Sequence, residues 1–419
     1  MKKKKPVEWT KLDNAAKIFP PNTNEKDTKV FRIACHLHDD IKPILLQESV
    51  DKAIALFPLF KSVLRKGLFW YYFEETEAQP VVIEEIKPPC SAIYVPNRNN
   101  HLFQVSYYKK TINLEIYHAL TDGTGALWFL KTILLYYITE YYKEEFKDNI
   151  PQIDYVSTES QMKGDSFLKH YTGPVKKYRV SVPRAYKISG RRSLDNRINI
   201  IEGMLSVKET IDVAHKYNTS LTVYLTALFI YSIYMDMPER NRKHPVVLTI
   251  PVNLRNYFLS GSARNFFATI NIEYDFRTGI HKLEDIIESV KNSFKKELDE
   301  SKLKEHLNRL ASLERNAIMR VIPLSIKDIA LRIANSINAK GLTAAISNLG
   351  KITLPEELEK HVDSFSVYTS VRRPQLCICS YKDKLSVSFI SPFNNSDIQK
   401  TFYRLLSEEG VEITIRTNE

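Results

Sequence analysis

Twice along this chain, strand-like runs alternate with helical stripes, and a long polar stretch separates the two series. That alternation restricts the fold more than any other feature. Strands with one apolar face and helices with one apolar stripe must bury those surfaces against each other, which calls for mixed sheets flanked by helices. In the first series, 28–37 (TKVFRIACHL), 68–75 (LFWYYFEE), 102–110 (LFQVSYYKK) and 112–120 (INLEIYHAL) read as strands, the last two as a hairpin turning near Lys110 and Thr111. Residues 41–60 carry a helical stripe ended near Pro58, and 127–142 form a second helix. From about 145 to 192 the pattern dissolves into polar sequence with Pro151, Pro174 and Pro183.

The second series opens with a strand at 197–207 and a helix at 208–217, then an apolar helix with Thr219 or Ser220 as N-cap. Strands follow at 244–255 and 265–276, and one long amphipathic helix at 283–310. The end holds strand-like runs at 343–350, 363–370 and 376–392, the last a hairpin turning at 382–384. A helix at 396–408 and a strand at 411–415 complete it. With 419 residues, two cores are expected. The predicted fold is α/β (α+β) in two lobes, 1–165 and 197–419, joined by a crossover at 166–196.

Composition narrows the class. Hydrophobic content of 43% and aromatic content of 11% suit a globular chain with a filled interior. Cys35, Cys90, Cys377 and Cys379 show no zinc or redox spacing, and read as reduced thiols. The lysine-rich start lacks the apolar core of a secretory leader, and the run at 221–237 is broken by threonine, serine and tyrosine. A cytoplasmic protein without a membrane span is the expectation. The net charge of +11 comes without a base-reading helix, zinc finger or RNA-binding signature, so no nucleic-acid partner is expected.

One segment carries chemistry. Only 12 glycines occur in the chain, and two of them, Gly123 and Gly125, stand in "IYHALTDGTGALWFL" (116–130). A strand ends at His118, Asp122 follows in the turn, and a helix begins. Histidine titrates near neutrality and suits general-base work, while a carboxylate four residues on can orient the imidazole or pin the loop to an arginine. Gly123 permits a sharp turn, and the amides opening the helix are suitable oxyanion donors. Taken alone, the spacing is more often that of a structural turn with a satisfied histidine.

With its neighbours, the segment resembles the HxxxDG active-site stretch of the chloramphenicol acetyltransferase-like superfamily, which includes alcohol acetyltransferases, plant acyl-CoA-dependent acyltransferases, wax ester synthases and nonribosomal peptide condensation domains. "DKAIALFPLFKSVLRKGLFWYY" (51–72), "TVYLTALFIYSI" (222–233), "TIPVNLRNYF" (249–258) and "ISNLGKI" (346–352) resemble further segments of that group in the same order. The resemblance implies two similar lobes enclosing a tunnel. It makes His118 the general base and Asp122 a structural partner paired with Arg255, and it has Gly123 keep the tunnel open. Ser347 and Asn348 would reach the site from the second lobe. It implies acyl-CoA, acetyl-CoA for instance, as co-substrate, an alcohol as acceptor, and no bound cofactor or metal.

Two departures bear on the choice within the group. Tyr117, not a second histidine, precedes His118, and no DFGWG segment occurs; "SVSFISPFNN" (386–395) stands there instead. A stand-alone alcohol acetyltransferase fits these departures best. The alternatives are an N-acyl or condensation-type transferase drawing on a carrier-protein-bound donor, and a non-catalytic binding protein of the same fold. His36 and His38 read as sharing one face of a strand, without a third metal partner; Arg372 and Arg373 read either as contacts for CoA phosphates or as a solvated loop.

Overall fold

The structure is a computed structural model and describes residues 9–147, 151–152, 164–174, 183–315 and 320–418, apart from positions 97, 194, 278 and 280. Two sheets organise it. The first has five strands in the order β12 (Val362–Thr369), β2 (Val30–Leu37), β7 (Thr111–Tyr117), β6 (Phe103–Tyr108) and β5 (Ile83–Glu84). The second has seven: β10 (Phe267–Tyr274), β9 (Val246–Asn253), β11 (Ala344–Ile352), β13 (Gln375–Tyr381), β14 (Lys384–Ser391), β8 (Asn199–Ser206) and β15 (Ile413–Thr417). A small third sheet joins β1 (Trp9–Lys11), β4 (Tyr71–Glu75) and β3 (Ser62–Lys66).

Helices α1 (Pro43–Leu56) and α2 (Gly123–Tyr141) serve the first lobe. In the second half of the sequence come α3 (Val207–Lys216), α4 (Leu221–Asp236), α5 (Leu283–Glu297), α6 (Glu300–Arg315), α7 (Leu324–Lys340) and α8 (Asp397–Glu408). Two cores form, and the first also takes in Cys377, Cys379 and Tyr381 of β13. Phe57, Phe60, Phe103 and Phe129 pack edge-on or tilted against one another in the first; Phe229, Phe389 and Phe402 do so in the second. Helix α4 is buried on most of its circumference and starts where Ser220, not Thr219, accepts from Val223 N. Cys377 and Cys379, two apart on β13, are both buried.

Several expectations needed correction. The helix read at 283–310 is two helices: Asp299 accepts from the backbone N–H groups of Ser301 and Lys302, capping a new start and breaking the run. Helix α2 begins four residues before the expected Leu127, because Asp122 caps it through Gly125 N. Helix α7 and strands β1, β3 and β5 were absent from the sequence reading. Strand β12 departs from the expected 197–419 lobe, since it pairs antiparallel with β2 from Phe31 to Leu37. It covers an edge that the first sheet would otherwise expose. Within the expected crossover, Ser166–Lys169 forms a helical turn capped by Asp165, and 175–182 lie outside the described residues.

Candidate functional site

His118 follows the last residue of β7, and its backbone N–H donates to Lys29 O at 2.8 Å, which continues the β2–β7 ladder by one rung. The side chain is thus aimed by sheet backbone. Phe19 stacks on the imidazole at 4.4 Å between centroids and 14° between planes, with Phe31 at 4.9 Å and Phe267 at 5.7 Å. Burial among these rings lowers the imidazole pKa below its ordinary value, against smaller upward pulls from its own backbone carbonyl, Asp122 and Asn265. The neutral ring is therefore favoured at pH 7.

Its tautomer follows from a residue that sequence reading did not single out. Asn265 Oδ1 lies 3.2 Å from His118 Nδ1. The amide nitrogen of Asn265 donates to Ala119 O and to Asp13 Oδ2, both at 3.4 Å. A backbone carbonyl can only accept, so the amide is oriented with its oxygen toward the ring. Nδ1 then carries the proton and Nε2 keeps its lone pair. Asp13 is buried, and that burial raises its carboxyl to about 6 despite Arg264 beside it. No local signal marks Asn265: it stands at the head of an ordinary strand pattern.

Asp122 and Arg255 make the second part of the site. Arg255 Nη1 is 2.7 Å from Asp122 Oδ2, and both side chains are less than a tenth exposed. The carboxylate also accepts from Phe266 N at 2.8 Å and Gly125 N at 3.2 Å. The guanidinium donates in addition to Ser262 O at 2.8 Å and Arg264 O at 2.6 Å. Three donors hold one carboxylate while one arginine ties down two loop carbonyls, so this knot fastens the start of α2 to the loop between β9 and β10. Thr121 Oγ1 adds a bond to Ala263 O, and Asn253 Nδ2 one to Thr124 Oγ1 at 3.1 Å. Gly125 is what lets the segments meet: a Cβ there would stand 2.1 Å from Thr121 Oγ1 and 2.3 Å from Ala263 O.

A cavity of about 610 Å³ opens between the two sheets, and His118 and Gly123 line it from one side. Ser347 and Leu349 of β11 line it from the other. A Cβ on Gly123 would lie 2.8 Å from Leu349 Cδ1, so the missing side chain keeps this part of the cavity clear. Asn348, one step along β11, does not line the cavity: side chains alternate along a strand, and its amide turns to Thr222 Oγ1 at 3.0 Å. The same cavity is lined by Lys187, Arg192, Lys340, Arg372 and Arg373. Burial lowers the pKa of Arg373, so its charge stands in a partly desolvated setting.

His36 bonds Thr111 and Ser366 across the first sheet at 3.0 and 3.1 Å. His38 lies beyond the end of β2 and is exposed, so the two do not share a strand face. Among the described residues no group of three or more candidate ligands could hold a metal ion.

No family model matches the chain, and no curated protein matches it. Solved structures match over nearly its whole length. TRI101 of F. sporotrichioides, complexed with coenzyme A and T-2, superposes with a TM-score of 0.66 at 10% identity, covering 97% of this chain and 99% of that one. TRI3 trichothecene 15-O-acetyltransferase of Fusarium sporotrichioides gives 0.62 at 12%, covering 96% and 94%. The starter condensation domain of rhizomide synthetase, in complex with C8-CoA and Leu-SNAC, gives 0.61 at 12%, covering 96% and 93%. The fold expected from the HxxxDG resemblance is thus the fold observed, the two-lobed chloramphenicol acetyltransferase-like arrangement.

Proposed function

We propose that this chain is an acyl-CoA-dependent O-acyltransferase, moving an acyl group from a CoA thioester to an alcohol with His118 as general base. The observation that carries the reading is one cavity that joins an imidazole with an available Nε2 to six lining cations, of which Lys29 is paired with Asp27 and five, Lys187, Arg192, Lys340, Arg372 and Arg373, have no carboxylate partner among the lining residues. The imidazole answers the need for a base, and the cations suit the phosphates of CoA. The fold is shared with TRI101 in complex with coenzyme A, which supports the same donor.

Nε2 takes the proton of the acceptor hydroxyl as its oxygen attacks the thioester carbonyl carbon. The tetrahedral oxyanion is opposed by donors lining the cavity, for which the Gly123 amide at the start of α2 and the Ser347 hydroxyl are the candidates. Collapse breaks the C–S bond, and the imidazolium returns the proton to the departing thiolate. Asn265 positions the ring throughout: an Nδ1–H donor stabilises the imidazolium that forms. Asp122 and Arg255 keep the helix start in register and do not touch the reacting atoms in this scheme.

The test is thiol release from acetyl-CoA with panels of alcohols and amines, comparing wild type with His118→Ala. Alcohol-dependent release, lost by a factor of about 10² or more in the variant, is the expected result. Release with amines alone would favour an N-acyltransferase, release only from a carrier-bound donor a condensation-type enzyme. Full activity in His118→Ala would remove the base assigned here.

A further inference from the structure

Helix α7 turns its apolar stripe outward. Its inward contacts are largely polar: Lys327 Nζ donates to Phe69 O at 2.9 Å, Arg332 Nε to Pro21 O at 2.7 Å, and Asn335 to Asn22 at 3.0 Å. Asp328 accepts from Tyr71 at 2.9 Å and pairs with Lys66 at 3.3 Å. At about 100° per residue, Ile326, Ile333 and Ile337 fall within roughly 40° of one another, with Ile329 at the margin. All four are between 50% and 57% exposed. Val321, Leu68 and Trp70 extend the exposed apolar surface at the N-terminal end, where Leu324 N donates to Leu68 O. Scattered exposed isoleucines mean nothing, but a row of four on one helical face beside an exposed tryptophan marks a partner surface.

Charge selects the partner. From Arg320 to Lys340 the sequence holds four cations and one carboxylate, Asp328; the carboxylate is buried and Lys327 turns inward to Phe69 O, while Arg320, Arg332 and Lys340 are exposed. Lys17 lies close enough that its charge acts on Lys327, and Lys11 sits over the Trp70 ring at 4.5 Å. A two-fold contact with a second copy would set these cations against each other. Isoleucines framed by lysine and arginine, with tryptophan at the edge, are instead the composition of a helix lying in an anionic membrane interface. We propose that α7 docks this chain onto an anionic lipid bilayer surface, with the isoleucine stripe in the acyl boundary and the exposed Arg320, Arg332 and Lys340 toward the headgroups.

The position fits such a role. Asn335, Ser336, Asn338, Ala339 and Lys340 of the same helix line the cavity that holds His118, so docking brings the cavity wall to the lipid surface and gives a lipophilic ligand a short route in. Among the described residues no helix is long and apolar enough to cross a membrane. The docking does not depend on the acyl-transfer reading.

The experiment sediments the full chain with phosphatidylcholine vesicles, with and without phosphatidylserine at roughly one lipid in three. Binding to the serine-containing vesicles, weakened by salt, is expected. Ile333→Asp/Ile337→Asp should lower the partition about tenfold or more, because charge is driven into the acyl boundary. Its melting temperature and its activity toward soluble substrates should stay at wild type. Ile326→Ser/Ile329→Ser gives a milder second variant with the same readout. Failure to bind anionic vesicles, or binding indifferent to both variants, overturns the proposal. So does self-association in solution that the aspartate variant abolishes while vesicle binding stays absent, since the face would then join two copies of the chain.

Discussion

Replacing Arg255 by alanine probes the knot on which the site geometry rests. The substitution leaves the Asp122 carboxylate buried with two backbone donors and no cation, and strips the Ser262 and Arg264 carbonyls of their guanidinium partner. Breaking one side of a buried ion pair costs about 3–5 kcal/mol, mostly the cost of the stranded charge. A chain of 419 residues has an unfolding entropy of about 0.9 kcal/mol/K, taking roughly 2.1 cal/mol/K per residue. The expected fall in melting temperature is therefore about 3–6 °C, read by calorimetry. Removing both partners, Asp122→Ala/Arg255→Ala, should cost less than the two single changes added together, by about 1 kcal/mol or more. Rate should fall as well, because His118 and the start of α2 share the segment that the pair fastens. A melting temperature unchanged within about 1 °C, or strictly additive single effects, would refute the argument that this pair holds the lobes in register.

Four further outcomes follow from the same geometry. Gly125→Ala forces a methyl group against Thr121 and the Ala263 carbonyl, and should destabilise by about 1–3 kcal/mol, measured by denaturant unfolding. The His118 pKa is lowered by burial and the base works deprotonated, so activity should rise with pH along an acid limb whose midpoint lies below the ordinary imidazole value of about 6.5. Asn265→Ala should shift that midpoint and lower kcat with little change in KM, whereas a merely structural loss would leave the midpoint in place; a pH–rate profile separates the two. Arg192→Glu and Arg373→Glu should each raise KM for acyl-CoA more than they lower kcat, and the wild-type KM should rise with salt.

What local sequence determined is what short-range physics controls. Period-two and helical patterns located most strands and helices, and the cap of α4 was narrowed to Thr219 or Ser220 because an N-cap is decided by a residue and the three that follow it; the structure selects Ser220. The resemblance around HxxxDG and PVNLR singled out His118, Asp122 and Arg255, which the fold brings to one seam although 133 positions separate the ion pair. Tertiary structure alone decided the rest. Strand β12 closes the first sheet from late in the chain because an open edge needed a partner, and nothing within β12 says which edge that is. Asn265 fixes the tautomer of His118 across 147 positions, and an asparagine at the head of a strand advertises no such role. For Arg373 the sequence left two readings, a contact for CoA phosphates or a solvated loop, and only the fold shows that it lines the cavity. For α7, the pattern can say that one face is isoleucine-rich, but only packing against the segment before β2 and against the third sheet shows that this face looks outward. Burial is a property of what lies opposite a residue in space, and a linear pattern records only what lies beside it.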